Sequence, residues 1–267
     1  MSTTTTITIE NRLSELERLG QGVEAFAHRL GLSAQATFDL GLAVDEVVTN
    51  IISYAYDDGR VHEIVVRLAD ASGEIVVEIE DDGRPFDPLT VPAPRLDLPL
   101  AARPTGGLGM HLVRKVMDAV EYRRRSDRNL LVLRKKTTEA AGAAARTERA
   151  TEIAETRTGD VLIVAVAGRL DAANAPALGQ RLRAAIDAGH RALVVDARRI
   201  DFVGSAGIQV LLGAAKRLAP AGGRIALAGL ADALREVFEL AGLGSAFAFH
   251  RTPSAAVAAL ASSASHT

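Results

Sequence analysis

Four short stretches of the sequence carry residue types and spacings that could do chemistry. In the first, Glu46 and Asn50 stand four residues apart inside a largely apolar run from Leu42 to Tyr56. In a helix that spacing puts a carboxylate and an amide oxygen on one face, where both can converge on one ligand. Such a pair suits a hard cation such as Mg2+; taken alone, it also fits a helix edge that is merely polar. In the second stretch, Asp81-Asp82-Gly83 follows an alternating segment, which leaves Asp81 at a strand end and lets Gly83 turn tightly. In the third, Thr105-Gly106-Gly107-Leu108-Gly109 opens an amphipathic run toward Asp118. Glycines at a helix start offer backbone N–H groups and the positive helix end to phosphates. Each glycine cluster alone also makes an ordinary turn. The three elements in this order and spacing point to a nucleotide.

The fourth stretch is Val203-Gly204-Ser205-Ala206-Gly207, where a strand and loop give way to a helix. Two readings of Ser205 are open. It can cap the helix, or it can be an exposed acceptor whose phosphate would lie at the positive end of the helix. A Ser-His-Asp hydrolase is a poor third, because Gly-Ser-Ala-Gly lacks the Gly-x-Ser-x-Gly spacing and nothing aims His190 or His250 at Ser205. Upstream, Gly168-Arg169-Leu170-Asp171 ends a strand, with Asn174 as the predicted N-cap of the next helix and Pro176 in its first turn.

These residues need elements to hold them. Apolar positions at Leu13, Leu16, Leu19, Val23, Phe26 and Leu30 predict a helix over 12–30. Gly31-Leu32-Ser33 then stops it, and Ser33 can cap a second, largely buried helix running to about Tyr56. Val61–Ala69 and Glu74–Glu80 alternate about Asp70-Ala-Ser-Gly73 and predict a hairpin. Residues 84–106 hold most of the prolines and read as a long functional or mobile loop. The order from residue 12 to 136 is thus helix, helix, strand, strand, loop, helix, strand, strand. Beyond it, the apolar runs Val161–Ala167, Ala192–Ala197 and Ile225–Ala228 alternate with helical stretches near 174–188, 205–219, 231–241 and 254–261. That alternation predicts a mixed or parallel sheet covered by helices.

Residues 137–152 contain only small and charged side chains and cannot offset their own ordering entropy, so they read as a linker. The predicted division is therefore 1–136, a linker at 137–152, and 153–267. The formal charge of −2 conceals −4 in the first part and +2 in the remainder, and gives no reason to expect nucleic-acid binding. The chain has 267 residues and no Cys, which excludes a disulfide scaffold, thiolate zinc sites and cysteine nucleophiles. No long uncharged apolar run predicts a membrane span, and the first residues lack the pattern of a signal peptide, so a cytoplasmic protein is expected.

Over residues 7–136 the sequence resembles the GHKL ATPase superfamily and, within it, the small bacterial anti-sigma-factor serine kinases. Glu46-x-x-x-Asn50 resembles the N box, Asp81-x-Gly83 the first glycine box and Gly107-x-Gly109 the second. The resemblance implies ATP and Mg2+ as cofactors. It implies Asn50 as a Mg2+ ligand, Asp81 as acceptor of the adenine amino group, and Gly83 as the residue that lets the base approach. It implies Gly106, Gly107, Leu108 and Gly109 as the phosphate wrap, and Glu46 as the general base on an attacking serine. The chain departs from the family at Pro85, where many members have a second glycine. It departs again at Arg128-Asn129, which replaces a Gly-Thr that often closes the site. A histidine kinase fits less well, since no helical hairpin with a phospho-accepting His precedes this region.

Residues 157–260 resemble a STAS domain of the anti-sigma-factor-antagonist class, with the Gly-x-Leu-Asp turn at 168–171. Aligned on that family's Asp-Ser-Ser/Thr-Gly motif, Ser205 takes the phosphoacceptor position, with Gly204 in place of the Asp and Ala206 in place of the second hydroxyl residue. Asp171 would then lie near the acceptor, both being at strand ends. The fold implied is α/β: a GHKL two-layer sandwich followed by a STAS mixed sheet with flanking helices. The function implied is a partner-switching regulator of bacterial transcription. The resemblance implies a serine kinase acting on a STAS-domain serine, Ser205 in cis or one on a separate antagonist, and controlling a sigma factor or other regulatory protein. The resemblance also implies a homodimer. The rival reading is a non-catalytic, nucleotide-dependent binding module regulated by its fused STAS domain.

Overall fold

The computed structural model describes residues 3–71, 73–94, 107–137, 151–244 and 246–262. Gly106 and positions 138–150 of the predicted linker lie outside the described residues. The described residues divide into two units, 3–94 with 107–137 and 151–262, each built on its own five-stranded sheet.

In the first unit, α1 (Leu16–Arg29) buries Leu16, Leu19, Val23 and Phe26, the stripe that its apolar spacing dictates. Gly31, at φ 65°, turns the chain out of the helix. The next helix, α2 (Ala34–Tyr54), starts as predicted: Ser33 Oγ accepts the Ala36 N–H at 3.1 Å. The strands β2 (Glu63–Asp70) and β3 (Glu74–Asp81) alternate as expected. Ile64, Val66 and Leu68 on one strand and Ile75, Val77 and Ile79 on the other are at most 1% exposed. Each such side chain contributes about 1.5–3 kcal/mol relative to exposure, and only the correct register keeps all six on the helix-covered face.

The sheet order is β1-β2-β3-β5-β4, antiparallel throughout. The edge strand β1 (Thr4–Glu10) does not appear in the sequence-based order above. Its threonine-rich run has only Ile7 and Ile9 as large apolar residues, and pairing with β2 defines it. Gly22 lets α1 lie against β1, since a Cβ there would collide with the Ile7 side chain. After the third helix, α3 (Leu108–Val116), the strands β4 (Ala119–Arg125) and β5 (Arg128–Lys136) form a hairpin. Its two turn residues, Ser126 and Asp127, both have positive φ (45° and 66°), the geometry that matches strand twist in a two-residue turn. β5 crosses the whole unit: it begins beside Asp81, and at its other end Thr137 donates its N–H to Gly73 O at 2.9 Å.

The second unit has the order β10-β9-β8-β7-β6. β6 (Glu152–Thr158) is antiparallel to β7 (Val161–Leu170), while β8 (Ala192–Val203), β9 (Arg224–Ala228) and β10 (Ala248–His250) join in parallel. Between the parallel strands run α4 (Ala175–Asp187), α5 (Ser205–Leu218) and α6 (Asp232–Leu240). A last helix, α7 (Pro253–Ser262), packs Ala256 and Leu260 on Val161, Val194, Ala226 and Ala228. The sheet is mixed and helix-covered, as the alternating pattern predicts. β6 and β10 are absent from that pattern, the first because its residues are almost all polar and exposed, the second because it is three residues long.

Candidate nucleotide site and candidate acceptor serine

Glu46 and Asn50 lie one turn apart on α2. Glu46 is 3% exposed and Asn50 is half-buried. The end of this helix is fastened to the turn after β3, where Arg84 N–H donates to Ala55 O at 3.1 Å. Gly83 is required for that approach, because a Cβ would sit 2.6 Å from the Ala55 Cβ and 2.9 Å from the Ala55 carbonyl oxygen. The helix carrying Glu46 and Asn50 is thus locked to the strand end carrying Asp81.

The third predicted element enters from α3. Gly107 occupies its N-cap at φ 74°, which glycine adopts without strain, and Leu108 and Gly109 form its first turn. Gly107 has no side chain to cap that turn, and the first N–H groups of a helix suit an anion. At the other end of α3, Lys135 donates to Val116 O at 2.6 Å, and Asp118 N–H bonds Arg134 O. Those partners lie at the end of β5 away from Asp81, so the C-terminal end of α3 is fixed there. Arg114 on α3 reaches the carbonyls of Leu89 at 2.6 Å and Pro88 at 3.2 Å, holding the start of the proline-rich segment.

Asp81 is 3% exposed. Its Oδ1 accepts the Gly83 N–H at 2.8 Å and the Asn129 amide Nδ2 at 2.8 Å. Among the described residues no donor reaches Oδ2. Burial pushes the carboxyl above the usual aspartate range, and the charge of Asp82 adds to this. The two hydrogen bonds and Arg124 oppose it. Beside it, His62 Nδ1 lies 3.0 Å from Asp82 and Nε2 lies 3.0 Å from Asp58, while its ring stacks on Tyr56 at 4.2 Å. Only a doubly protonated ring donates to both carboxylates. Its pKa is accordingly raised, chiefly by the bond to Asp58.

Among the described residues no cluster of three or more His, Asp or Glu could hold a metal ion. The residues present fit a Mg2+ that takes most of its ligands from phosphates and water, the usual way this ion is held. Asn50 would supply one protein oxygen.

In the second unit Ser205 is the first residue of α5, and the cap position belongs to Gly204, which makes no side-chain cap. The capping reading of Ser205 is thereby corrected: its Oγ is a side chain of the helix's first turn. Gly204 N–H bonds Leu170 O at 3.1 Å, and a Cβ on Gly207 would lie 2.6 Å from that same oxygen. The start of α5 therefore rests on the end of β7. Asp171, the next residue after β7, is 1% exposed and fully engaged. Its Oδ1 accepts the N–H groups of Ala173 and Asn174 and the Asn174 amide, and its Oδ2 accepts Arg169 Nε at 3.0 Å. Asn174 occupies the N-cap position of α4 with Pro176 in the first turn, as predicted, but its side chain makes no cap bond to the helix; Asp171 binds this turn instead. Arg169 stacks on Phe202 at 4.0 Å, its register partner on β8. Thr151 Oγ1 donates to Arg169 O, so the chain enters this unit at the Ser205 end of the sheet.

Arg124, Tyr122 and His62 are structurally central around Asp81, yet no sequence motif singles them out for a role, and Asn129 stands out in the sequence only as a departure from the family pattern. For Asn129, Arg124 and Tyr122 the signal is register, which becomes readable only once the β4–β5 turn is known.

Residues 9–135 match the family described as "Histidine kinase-like ATPase domain", and residues 153–248 the family described as "Mlab, STAS domain". Over 111 residues, 42% of the chain, the sequence is 35% identical to the serine/threonine-protein kinase BtrW of Bordetella bronchiseptica, covering 78% of that protein. Over 99 residues, 37% of the chain, it is 39% identical to BtrV of the same bacterium, named as a candidate anti-sigma factor antagonist, covering 85% of it. The solved structure of an anti-sigma factor antagonist from Mycobacterium paratuberculosis matches 42% of the chain and 95% of its own length, at 28% identity and a TM-score of 0.40. Among the described residues no helix is long and apolar enough to cross a membrane.

Proposed function

The chain belongs to the family of serine-protein kinases built on a histidine kinase-like ATPase domain, joined in one polypeptide to a member of the STAS antagonist family, and on that premise we propose that it phosphorylates a STAS-domain serine. The donor is ATP, and the acceptor is Ser205 of the same chain or a serine on a separate antagonist. The domains run over 1–136 and 153–267, with 137–152 as linker. The observation that carries the nucleotide reading is the buried Asp81 carboxylate, with one oxygen held by the backbone and Asn129 and the other left for a base amino group.

In the proposed reaction the serine oxygen bonds the γ-phosphorus as the bond to the bridging β–γ oxygen breaks. The hydroxyl proton passes to Glu46, and the displaced oxygen leaves on ADP. Asp81 orients the base, and the N–H groups of the first turn of α3, with Gly106 to Gly109, hold the phosphates. Mg2+, when bound through Asn50, neutralises phosphate charge. Phosphate on Ser205 would sit at the positive end of α5, a stabilising place for an added charge of about −1.5 to −2. That charge is the proposed signal read by a sigma factor or other regulatory protein. Pairing of two chains is proposed on family likeness only.

Incubating the full chain with Mg-ATP and mapping phosphate by mass spectrometry tests the reading. Phosphate on Ser205, or on a supplied STAS domain, that disappears in Glu46→Gln supports it. Nucleotide binding without transfer to either acceptor would replace it with the non-catalytic binding module.

A further inference from the structure

We infer that Asn129 is a positioning residue for base selection, fixing the Asp81 carboxylate so that one oxygen is presented to an amino-bearing purine. This rests on the nucleotide reading above and goes beyond it. Asn129 is the Cα partner of both Asp81 on β3 and Arg124 on β4, so three polar residues stand in a row across adjacent strands. The surroundings of Asn129 are built for an amide.

The amide cannot turn over. Its Oδ1 accepts Tyr122 O–H at 2.8 Å and Arg124 Nη1 at 2.7 Å. Both partners are donors, which assigns the opposite edge as NH2. That edge donates to Asp81 Oδ1 at 2.8 Å and also meets the carbonyls of Arg84 at 3.1 Å and Gly83 at 3.3 Å. Arg124 reinforces the arrangement by donating to Gly83 O at 3.1 Å. With the Gly83 N–H, Asp81 Oδ1 has two donors, and Oδ2 has none among the described residues.

A carboxylate anchored in this way offers a single acceptor to an incoming base. It rewards an exocyclic N–H, as on adenine, and repels the carbonyl oxygen that hypoxanthine carries at the same position. Without the amide, Asp81 loses one of the two bonds that favour its ionised form while remaining buried. Protonated, it could donate to a carbonyl, and the distinction between the two bases would collapse.

The experiment is calorimetric binding of ADP and IDP to the full chain and its variants between pH 5.5 and 8.5, with thermal melts as a folding control. Wild type should prefer ADP. Asn129→Leu should weaken ADP by about 10- to 100-fold, the usual scale for a hydrogen bond to a charged group. IDP should change by less than threefold, so the preference shrinks. Asn129→Thr, which restores a donor, should recover most of it. Asn129→Asp should bind ADP poorly at pH 8 and better toward pH 6. If the folded Leu variant loses ADP and IDP equally, or keeps the wild-type preference, the inference is overturned. Should that variant not fold, the Thr and Asp variants decide by the same ratio. Wild type binding neither nucleotide would remove the nucleotide reading itself, whereas wild type binding both equally removes only the selection.

Discussion

Two aspartates occupy comparable places in the two units: each is almost fully buried just where a strand ends. Asp171 spends both oxygens on its own surroundings, with three donors on one and Arg169 on the other. Asp81 has two donors on one oxygen, and among the described residues none on the other. The first arrangement builds a turn. The second keeps acceptor capacity in a buried place, at a cost visible in the raised pKa of Asp81. The difference teaches that burial of a carboxylate does not by itself mark a binding site; the incomplete set of partners does.

Removing each carboxylate should separate these roles. Asp81→Ala is expected to lower ADP affinity by about 100-fold or more, measured by calorimetry, while leaving the melting temperature of the ligand-free protein within a few degrees. Asp171→Ala should do the reverse. It strips four hydrogen bonds and leaves the guanidinium of Arg169 buried without that partner, so unfolding free energy should drop by about 2–4 kcal/mol in urea titration, with ADP affinity unchanged. If both variants lose nucleotide equally, the contrast is broken.

Acidity sharpens the same comparison. Asp81 must be ionised to accept an amino group, so ADP affinity should be greatest above its raised value and decline as pH falls through it, at higher pH than an ordinary aspartate allows. Ser205→Ala should abolish the phosphate label on the chain itself, read by mass spectrometry, while a supplied STAS domain is still labelled. The smallest effect belongs to His62. With its pKa raised in the folded protein, the protonated ring's contribution is complete below about pH 6.5 and is lost as pH rises through the raised value. The melting-temperature gap between wild type and His62→Gln should therefore be widest at pH 5.5–6 and close toward pH 9.

The parts of the fold with a strong period were legible in the sequence: the stripe of α1, the Ser33 cap and the alternation of β2 and β3. So were Asp81 and Gly83, because a strand end and a tight turn are local features. Asn129 was visible only as a departure from a family pattern. Its partner Asp81 lies 48 residues away, and the pairing depends on a turn at Ser126 and Asp127 that lacks the usual Asn-Gly signal. β1 and β6 were hidden for a related reason. Each is a polar edge strand whose identity comes from its neighbour's hydrogen bonds, which no local pattern records.

The course of β5 has a consequence for any reaction inside one chain. The strand starts beside Asp81 and ends at the Gly73 hairpin. Nine residues of strand amount to about 27 Å, so a tether leaving there must double back that far to serve the nucleotide. From Thr137 to Thr151 the chain can reach at most about 45–50 Å. At the other end it loses little, since Thr151 is bonded to Arg169, opposite Phe202 and close to Ser205. Transfer within one chain would have to fit inside that reach, whereas a second molecule would compete increasingly as concentration rises.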